Sequence, residues 1–518
     1  AKPTIRNAWW ASPRFQLGST HPTTTTESHM TAYKIIVGLE VHVQLLTRTK
    51  LFCGCRTDFG LPPNSSTCPV CLGLPGVLPV MNRQAYELAL RAALALNCEI
   101  ARFTKWDRKN YYYPDLPKNY QISQYDLPMS HDGWLEINVA ADPRKGYTPK
   151  RVGIIRAHLE EDAGKLLHDE AESHVDLNRT GTPLLEIVSR PEISSGEEAV
   201  AYLQELRLLL RELGVSDCEM QEGSMRCDAN VNVHIGDVAT PLVEVKNLNS
   251  IRAVERAINY ETRRQFQAFN DPNDEAYQKK FGDMPKATAG WLDEKGVTRV
   301  QRRKEEASDY RYFPEPDLVP VEVDEAWMAR VKSAMGELPA EQRLRLQTQH
   351  GLSQYDASVL ASQGRAMVAY FDDATRRCGD AKAVSNWLTN QVLTTLNERK
   401  QTIGDFALKA PALAELIAQV KAKGLNNQRA RDVYQKMLET GASAGQAIAD
   451  LGIREITEGE LRDIIRKAVA VSAKAVEDYR KGNLKAADRI KGLVMKETGG
   501  MARMDLVQKL LEDELKVG

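Results

Sequence analysis

The chain has 518 residues, with 69 basic residues against 70 acidic ones, so overall charge excludes nothing about partners and any nucleic-acid surface has to be a local patch. That length accommodates about two to four domains with at least one large core. No apolar run approaches the ~18–20 residues a membrane-spanning helix needs, so the sequence predicts a soluble protein.

Residues 1–32 are predicted to be a disordered or leader segment. They are rich in Thr, Ser and Pro and carry no acid before Glu27. An acid-poor, Arg-containing leader suits an organellar transit peptide. The preferred reading is a misassigned start or an expression scar ahead of Met30.

The run KIIVGLEVHVQL predicts a strand with Val37, Leu39, Val41 and Val43 on one face and Glu40 and His42 together on the other. The bland reading is a solvated strand face. Cys53, Cys55, Cys68 and Cys71 follow, four of the eight cysteines within 19 residues. Their spacing, C-x-C and then C-P-x-C, supplies four thiolates for a tetrahedral, structural Zn²⁺; the alternative is four reduced thiols. The remaining cysteines are scattered and read as buried small residues. The pattern favours a reducing, cytoplasmic setting over a disulfide framework.

Tyr86–Leu96 reads as a helix. Residues 101–128 then interleave Arg108, Lys109 and other cations with Tyr111, Tyr112 and Tyr120, a composition suited to single-stranded nucleic acid; the alternative is core tyrosines with a solvated cationic rim. Further on, carboxylates recur in strand-like text: Glu160 in HLEED, Glu186 in PLLEIVS, Asp228 and Asn230 in CDANVNV, and Glu244 with Lys246 and Asn247 in VEVKNLN. A carboxylate in an apolar strand is costly unless it is paired or holds a cation. Each alone reads as a salt-bridge partner or solvated group; together they point to Mg²⁺ and phosphate chemistry. No Walker A motif is present, because Gly164-Lys165 lacks the upstream Gly and the following Ser or Thr.

Glu197–Leu213 reads as a second helix, and 269–296 as an inserted or mobile surface loop. After about Val323 strand-like runs nearly vanish. Thr457 and Glu460 form a capping box ahead of Leu461, Ile464 and Ile465, with Gly424, Gly441 and Gly452 as stops. The predicted class is α+β, a mainly antiparallel body with a zinc knuckle over 33–325, followed by helical domains over 326–440 and 441–518 with a break near Thr440–Ala444.

Eight stretches, in order, resemble a known family: VGLEVHVQL, CPVCLGLPGVLPV, RKNYYYPDLPKNYQISQYD, HLEEDAGK, DLNRTGTPLLEIVS, EGSMRCDANVNV, VEVKNLNSIRAVERAINYE and KEEASDYRYFPEPDL. The family is that of the B subunits of aspartyl/glutamyl-tRNA amidotransferases (GatB of GatCAB), and GLVMKETGG with DLVQKLLEDEL resembles its YqeY-like tail. The resemblance implies ATP-dependent phosphorylation of the side-chain carboxylate of Glu-tRNA(Gln) and/or Asp-tRNA(Asn), followed by amidation. The ammonia would come from a GatA-type amidase, with a GatC-type small subunit completing a heterotrimer. It implies His42, Glu160 and Glu186 as primary Mg²⁺ ligands and Glu40 and Asp228 as second or water-mediated ligands. Lys246, Asn247, Arg156 and Lys165 become candidates for phosphate or carboxylate contacts. The sequence departs from the pattern at Ala289, at His234 and in KETGGMARMD. Two other classes compete: a non-catalytic zinc-containing RNA-binding protein, and a Mg²⁺-dependent phosphoesterase or nuclease.

Overall fold

The computed structural model describes residues 33–139, 146–169, 172–271, 286–303, 310–454 and 456–517. The leader expected over 1–32 and the centre of the expected 269–296 loop lie outside these residues.

The chain opens with β1 (Tyr33–Gln44), whose Val37, Leu39, Val41 and Val43 are all buried while Glu40, His42 and Gln44 alternate onto the opposite face. After the cysteine-rich segment comes α1 (Arg83–Ala95), started by the Asn82 side chain, which accepts the Ala85 N–H. Short strands β2 (Glu99–Ile100), β3 (Phe103–Thr104), β4 (Asp107–Asn110) and β5 (Tyr120–Ser123) lead to the longer β6 (Ser130–Val139) and β7 (Thr148–Glu161). The hairpin β8 (Lys165–His168) and β9 (Ser173–Asp176) precedes β10 (Pro183–Ser189), α2 (Gly196–Glu212), β11 (Met225–Ile235), β12 (Val238–Ala239), β13 (Val243–Leu248) and α3 (Ile251–Phe269). The body closes with β14 (Ala287–Leu292), β15 (Val297–Arg303), β16 (Phe313–Pro314), β17 (Val321–Glu322) and α4 (Glu325–Ser333).

Ten of these strands form one sheet in the order β15-β14-β13-β11-β1-β10-β7-β6-β2, with β12 attached to β11. All its pairings are antiparallel except β13 with β14. One face is apolar and covered by helices, with α1 against β7, α2 against β6 and α3 against β11. The other face carries the polar residues. This is the alternation expected of an antiparallel sheet with one wet side.

The parallel pair corrects the expected surface loop at its C-terminal end. Parallel neighbours need a crossover, and α3 supplies it. Ala287, Ala289 and Trp291 therefore return as a buried sheet strand, with Trp291 packed edge-on to Tyr260 of α3 at 6.2 Å between ring centroids. Downstream, β16 pairs with β4 and β17 with β3, so residues 310–323 strap back over the segment that follows α1.

Beyond the body the described residues are helical. The first core runs on through Val331 and Met335, with Trp327 of α4 packed on Tyr86. A second core spans Leu346 to Ile453 and a third Leu461 to Leu515. Helix Ala444–Asp450 packs into the second core. The Thr457–Glu460 capping box forms, and Gly424 and Gly441 end their helices at φ 60° and 70°. Among the described residues no helix is long and apolar enough to cross a membrane.

Candidate active site and metal centre

The polar sheet face is assembled by strand register. His42 lies opposite Glu186, Glu186 opposite His158, Glu160 opposite Leu184, and Glu40 opposite Asp228. Residues two apart on a strand share a face, so these pairings bring Glu40, His42, His158, Glu160, Glu186 and Asp228 to one side. His42 Nε2 lies 3.2 Å from Glu186 Oε2 and 3.7 Å from both Glu40 Oε1 and Glu160 Oε1. His158 Nε2 stands 3.9 Å from Glu160 and from Glu186. Two donor sets result, Glu40–His42–Glu186 and His158–Glu160–Glu186, each with its atoms within 4.8 Å of one another. Sequence reasoning misses His158. Its signal is the same two-residue spacing to Glu160 that joins Glu40 to His42.

The electrostatics are those of a site short of positive charge. Burial and the Glu186 charge push Glu160 up to about 7. Burial and Glu186 also raise Glu40. Burial alone would lower His42, yet its hydrogen bond to Glu186 and the Glu186, Glu160 and Glu40 charges take it up to about 9. Glu186 stays below its ordinary range, where His158 and His42 outweigh the effect of burial. Burial pushes His158 down to about 4. The buried His158 Nδ1 and Arg156 Nε have no hydrogen-bond partner among the described residues. Three carboxylates and two imidazoles, one of them with an orphaned nitrogen, make a donor set that fits a hard divalent cation.

The neighbouring candidates divide. Lys246 joins the same face, but its ammonium is held by Asp228 at 2.6 Å and Glu244 at 2.8 Å. Arg156 lies 3.8 Å from Glu186. Asn247 turns away, at φ 65°, and its amide donates to the Trp291 carbonyl, so it fixes the edge of β14. Lys165 is exposed on the β8–β9 hairpin and forms no ion pair with the acids.

The basic-aromatic segment walls the site. Because β4 alternates, Arg108 and Lys109 point to opposite sides. Arg108 makes a two-pronged pair with the buried Glu315, at 2.6 and 2.8 Å, and lies over Tyr120. That engagement makes it a clasp for the 310–317 strap. Lys109 stands over Tyr310 and Tyr111 and feels Glu160 and Glu186, which keep it above its usual range although burial opposes this. Tyr111 is half-buried with its hydroxyl on Gln121, Tyr120 lies under Arg108 and Lys118, and Tyr112 is 67% exposed. Tyr125 stacks on Tyr312 at 4.1 Å. The strap residues Tyr310, Tyr312 and Glu315 belong to this wall, and only the tertiary fold brings them there.

The four cysteines form a second centre. Residues 49–56 make a tight hairpin, with the Lys50 N–H on the Cys55 carbonyl, and the C-P-x-C turn returns Cys68 and Cys71 beside it. Their sulfur atoms lie within 4.8 Å of one another, and all four are free of disulfides. The Cys71 thiol is pushed down to about 4 by the hydrogen bond from Cys53, with the Cys68 N–H and the Lys50 charge assisting against burial. Burial and a hydrogen bond with Cys68 hold Cys55 up, at about 11. The donor set suits zinc. Leu51 N–H donates to the Gly181 carbonyl, which ties the hairpin to the turn before β10.

Comparison with known proteins extends over both halves. The family profile described as "GatB/GatE catalytic domain" matches residues 35–329, and one described as "GatB domain" matches 369–515. The B subunit of the aspartyl/glutamyl-tRNA(Asn/Gln) amidotransferase of Rhodopirellula baltica is 50% identical over 486 residues, covering 92% of this chain and 96% of its own length. The corresponding protein of Moorella thermoacetica is 48% identical over 490 residues, covering 93% and 100%. That of Carboxydothermus hydrogenoformans is 44% identical over 495 residues, covering 94% and 99%.

Proposed function

This chain belongs to the GatB family, and we propose from that premise that its polar sheet face activates the side-chain carboxylate of Glu-tRNA(Gln) and/or Asp-tRNA(Asn) for amidation. The carboxylate oxygen attacks the γ-phosphorus of ATP and ADP leaves. Ammonia then attacks the acyl carbon and inorganic phosphate departs, giving Gln-tRNA or Asn-tRNA. The detour is needed because a carboxylate offers ammonia only oxide as a leaving group. A GatA-type amidase supplies the ammonia, and a GatC-type protein completes the assembly in the cytoplasm.

The observation that carries this reading is that Glu160 and Glu186, from two other strands, lie 3.7 and 3.2 Å from the partly buried His42 Nε2, in two donor sets that share Glu186. These three residues would hold Mg²⁺, with Glu40 and Asp228 as second or water-mediated ligands. Bound there, the cation supplies charge neutralisation for a transferring phosphoryl group. The chain's own groups do the rest. Lys109 presents a positive charge beside Glu160 and orients substrate oxygens. Lys246, between Asp228 and Glu244, screens the far side of the face. The Tyr125–Tyr312 stack and exposed Tyr112 offer rings to unpaired bases of an acceptor end. The cysteine knot holds structural Zn²⁺, and the helical cores grip the outer body of the tRNA.

The test uses the chain copurified with its GatA-type and GatC-type partners, given ATP, Mg²⁺, glutamine and each mischarged tRNA in turn. ADP release with amidated aminoacyl-tRNA is the expected result. Tight tRNA binding with no ADP under any of these conditions would leave a non-catalytic RNA-binding protein.

A further inference from the structure

Lys50 is among the largest side chains in the molecule with no exposed surface. Its Nζ donates to the Ser66 carbonyl at 2.8 Å and the Leu177 carbonyl at 3.4 Å, and it lies 3.6 Å from Cys71 Sγ. Among the described residues no carboxylate pairs with it. The nearby Glu161 gives its Oε1 to the Lys118 ammonium and the Ile122 N–H, and its carboxylate is not within ion-pair distance of the Lys50 Nζ. A buried ammonium needs a countercharge, and two carbonyl dipoles are not one. The anionic group within reach of Nζ is the Cys71 sulfur, at 3.6 Å, ahead of the Glu161 carboxylate.

The need is mutual. A divalent ion held by four thiolates carries net negative charge, which a buried site must offset with hydrogen bonds or a cation. Cys71 Sγ receives the Cys68 N–H at 3.2 Å in addition to Lys50. The contact also reaches outward. Gly181, at φ 81°, sits where an added Cβ would lie 3.6 Å from both the Lys50 stem and the Cys71 Cβ. Leu177, whose carbonyl Lys50 holds, begins the same turn, and that turn launches the strand carrying Glu186.

We infer that Cys71 is shared between the metal centre and the buried ammonium of Lys50, so that Lys50 is a positioning residue that retains the metal and fastens the knot to the 177–181 turn. This rests on the reading of the knot as a zinc centre, and the experiment separates the two. Zinc content and the rate of zinc transfer to a chromogenic chelator are measured on the purified complex with wild-type, Lys50→Met, Lys50→Arg, Cys71→Ser and Cys71→Asp chains, together with Tm. Lys50→Met is expected to release zinc at least ~10-fold faster than wild type, and Lys50→Arg within about threefold of it. Cys71→Asp is expected to lose zinc yet to melt closer to wild type than Cys71→Ser, because a carboxylate still answers the ammonium. Wild-type zinc content and release rate in Lys50→Met would overturn the metal-retaining role. Cys71→Asp melting no higher than Cys71→Ser would overturn the charge pairing, and would do so even if Lys50→Met failed to fold. A wild-type complex purified without zinc would overturn the zinc reading alone, with the two Cys71 variants still deciding on the pair.

Discussion

The two ligand clusters of the body are built by opposite means. The cysteine knot draws its four donors from 19 consecutive residues through two tight turns, and a buried ammonium lies against one of them. The acidic cluster draws on β1, β7 and β10, whose residues stand 144 positions apart in the case of His42 and Glu186, and it gathers three carboxylates around two imidazoles. Local turns gather a donor set without help from distant strands. A long-range sheet makes a rigid face that waits for its counter-ions. The first design suits a brace and the second suits chemistry.

Substitutions can break this contrast. The largest effect is expected at the acids. Glu160→Gln or Glu186→Gln should cut ADP formation ~100-fold or more while tRNA affinity stays within a few-fold, measured by coupled ADP assay and filter binding. Lost binding with intact ADP formation would contradict the ligand assignment. Cys68→Ser should do the reverse. It should strip most of the zinc and lower Tm by about 10 °C, while the folded fraction keeps its phosphorylation rate within about threefold. Metal analysis, calorimetry and the ADP assay read the two sides separately.

Arg108→Met probes the wall between the two centres. It strands the fully buried Glu315 carboxylate, an expected cost of about 3–5 kcal/mol in denaturant unfolding, and should loosen the strap that carries Tyr312. The smallest effect sharpens the comparison from outside. Glu261 is buried, like Glu160, but the chain satisfies it through Arg264, Gln265 and Thr298. Although burial opposes it, those partners hold its carboxyl below the usual range. A depressed folded-state value means that Glu261 stabilises the protein above the unfolded value near 4.5, and that this contribution fades as pH falls through the folded one. Glu261→Gln should therefore cost about 1–3 kcal/mol at pH 7, and the gap to wild type should narrow in melts taken at successively lower pH below 4.5.

Much of the site is legible in the sequence because it rests on short periods. The alternation around Glu40 and His42 predicts the polar face of β1, the C-x-C and C-P-x-C spacing predicts the knot, and Glu160 and Glu186 stand out as acids in apolar text. What stays hidden depends on pairing between distant segments. Nothing near Arg108 announces Glu315, more than 200 residues later in the chain. The strand at Ala287–Leu292 is concealed because its neighbour is the parallel β13, across a helix. His158 shows only a spacing of two to Glu160 in the sequence, and its contact with Glu186 appears only once β10 pairs with β7.

The central position of β10 has a consequence for how errors are rejected. A slip of one residue against β1 would swing Glu186 to the helix-covered side and turn Leu185 and Ile187 outward. An unpaired carboxylate among those core residues is penalised heavily, so a misaligned chain condemns itself before it can persist. The acids thus act as alignment keys for assembly, and a molecule whose sheet has closed is one whose donors are already in place.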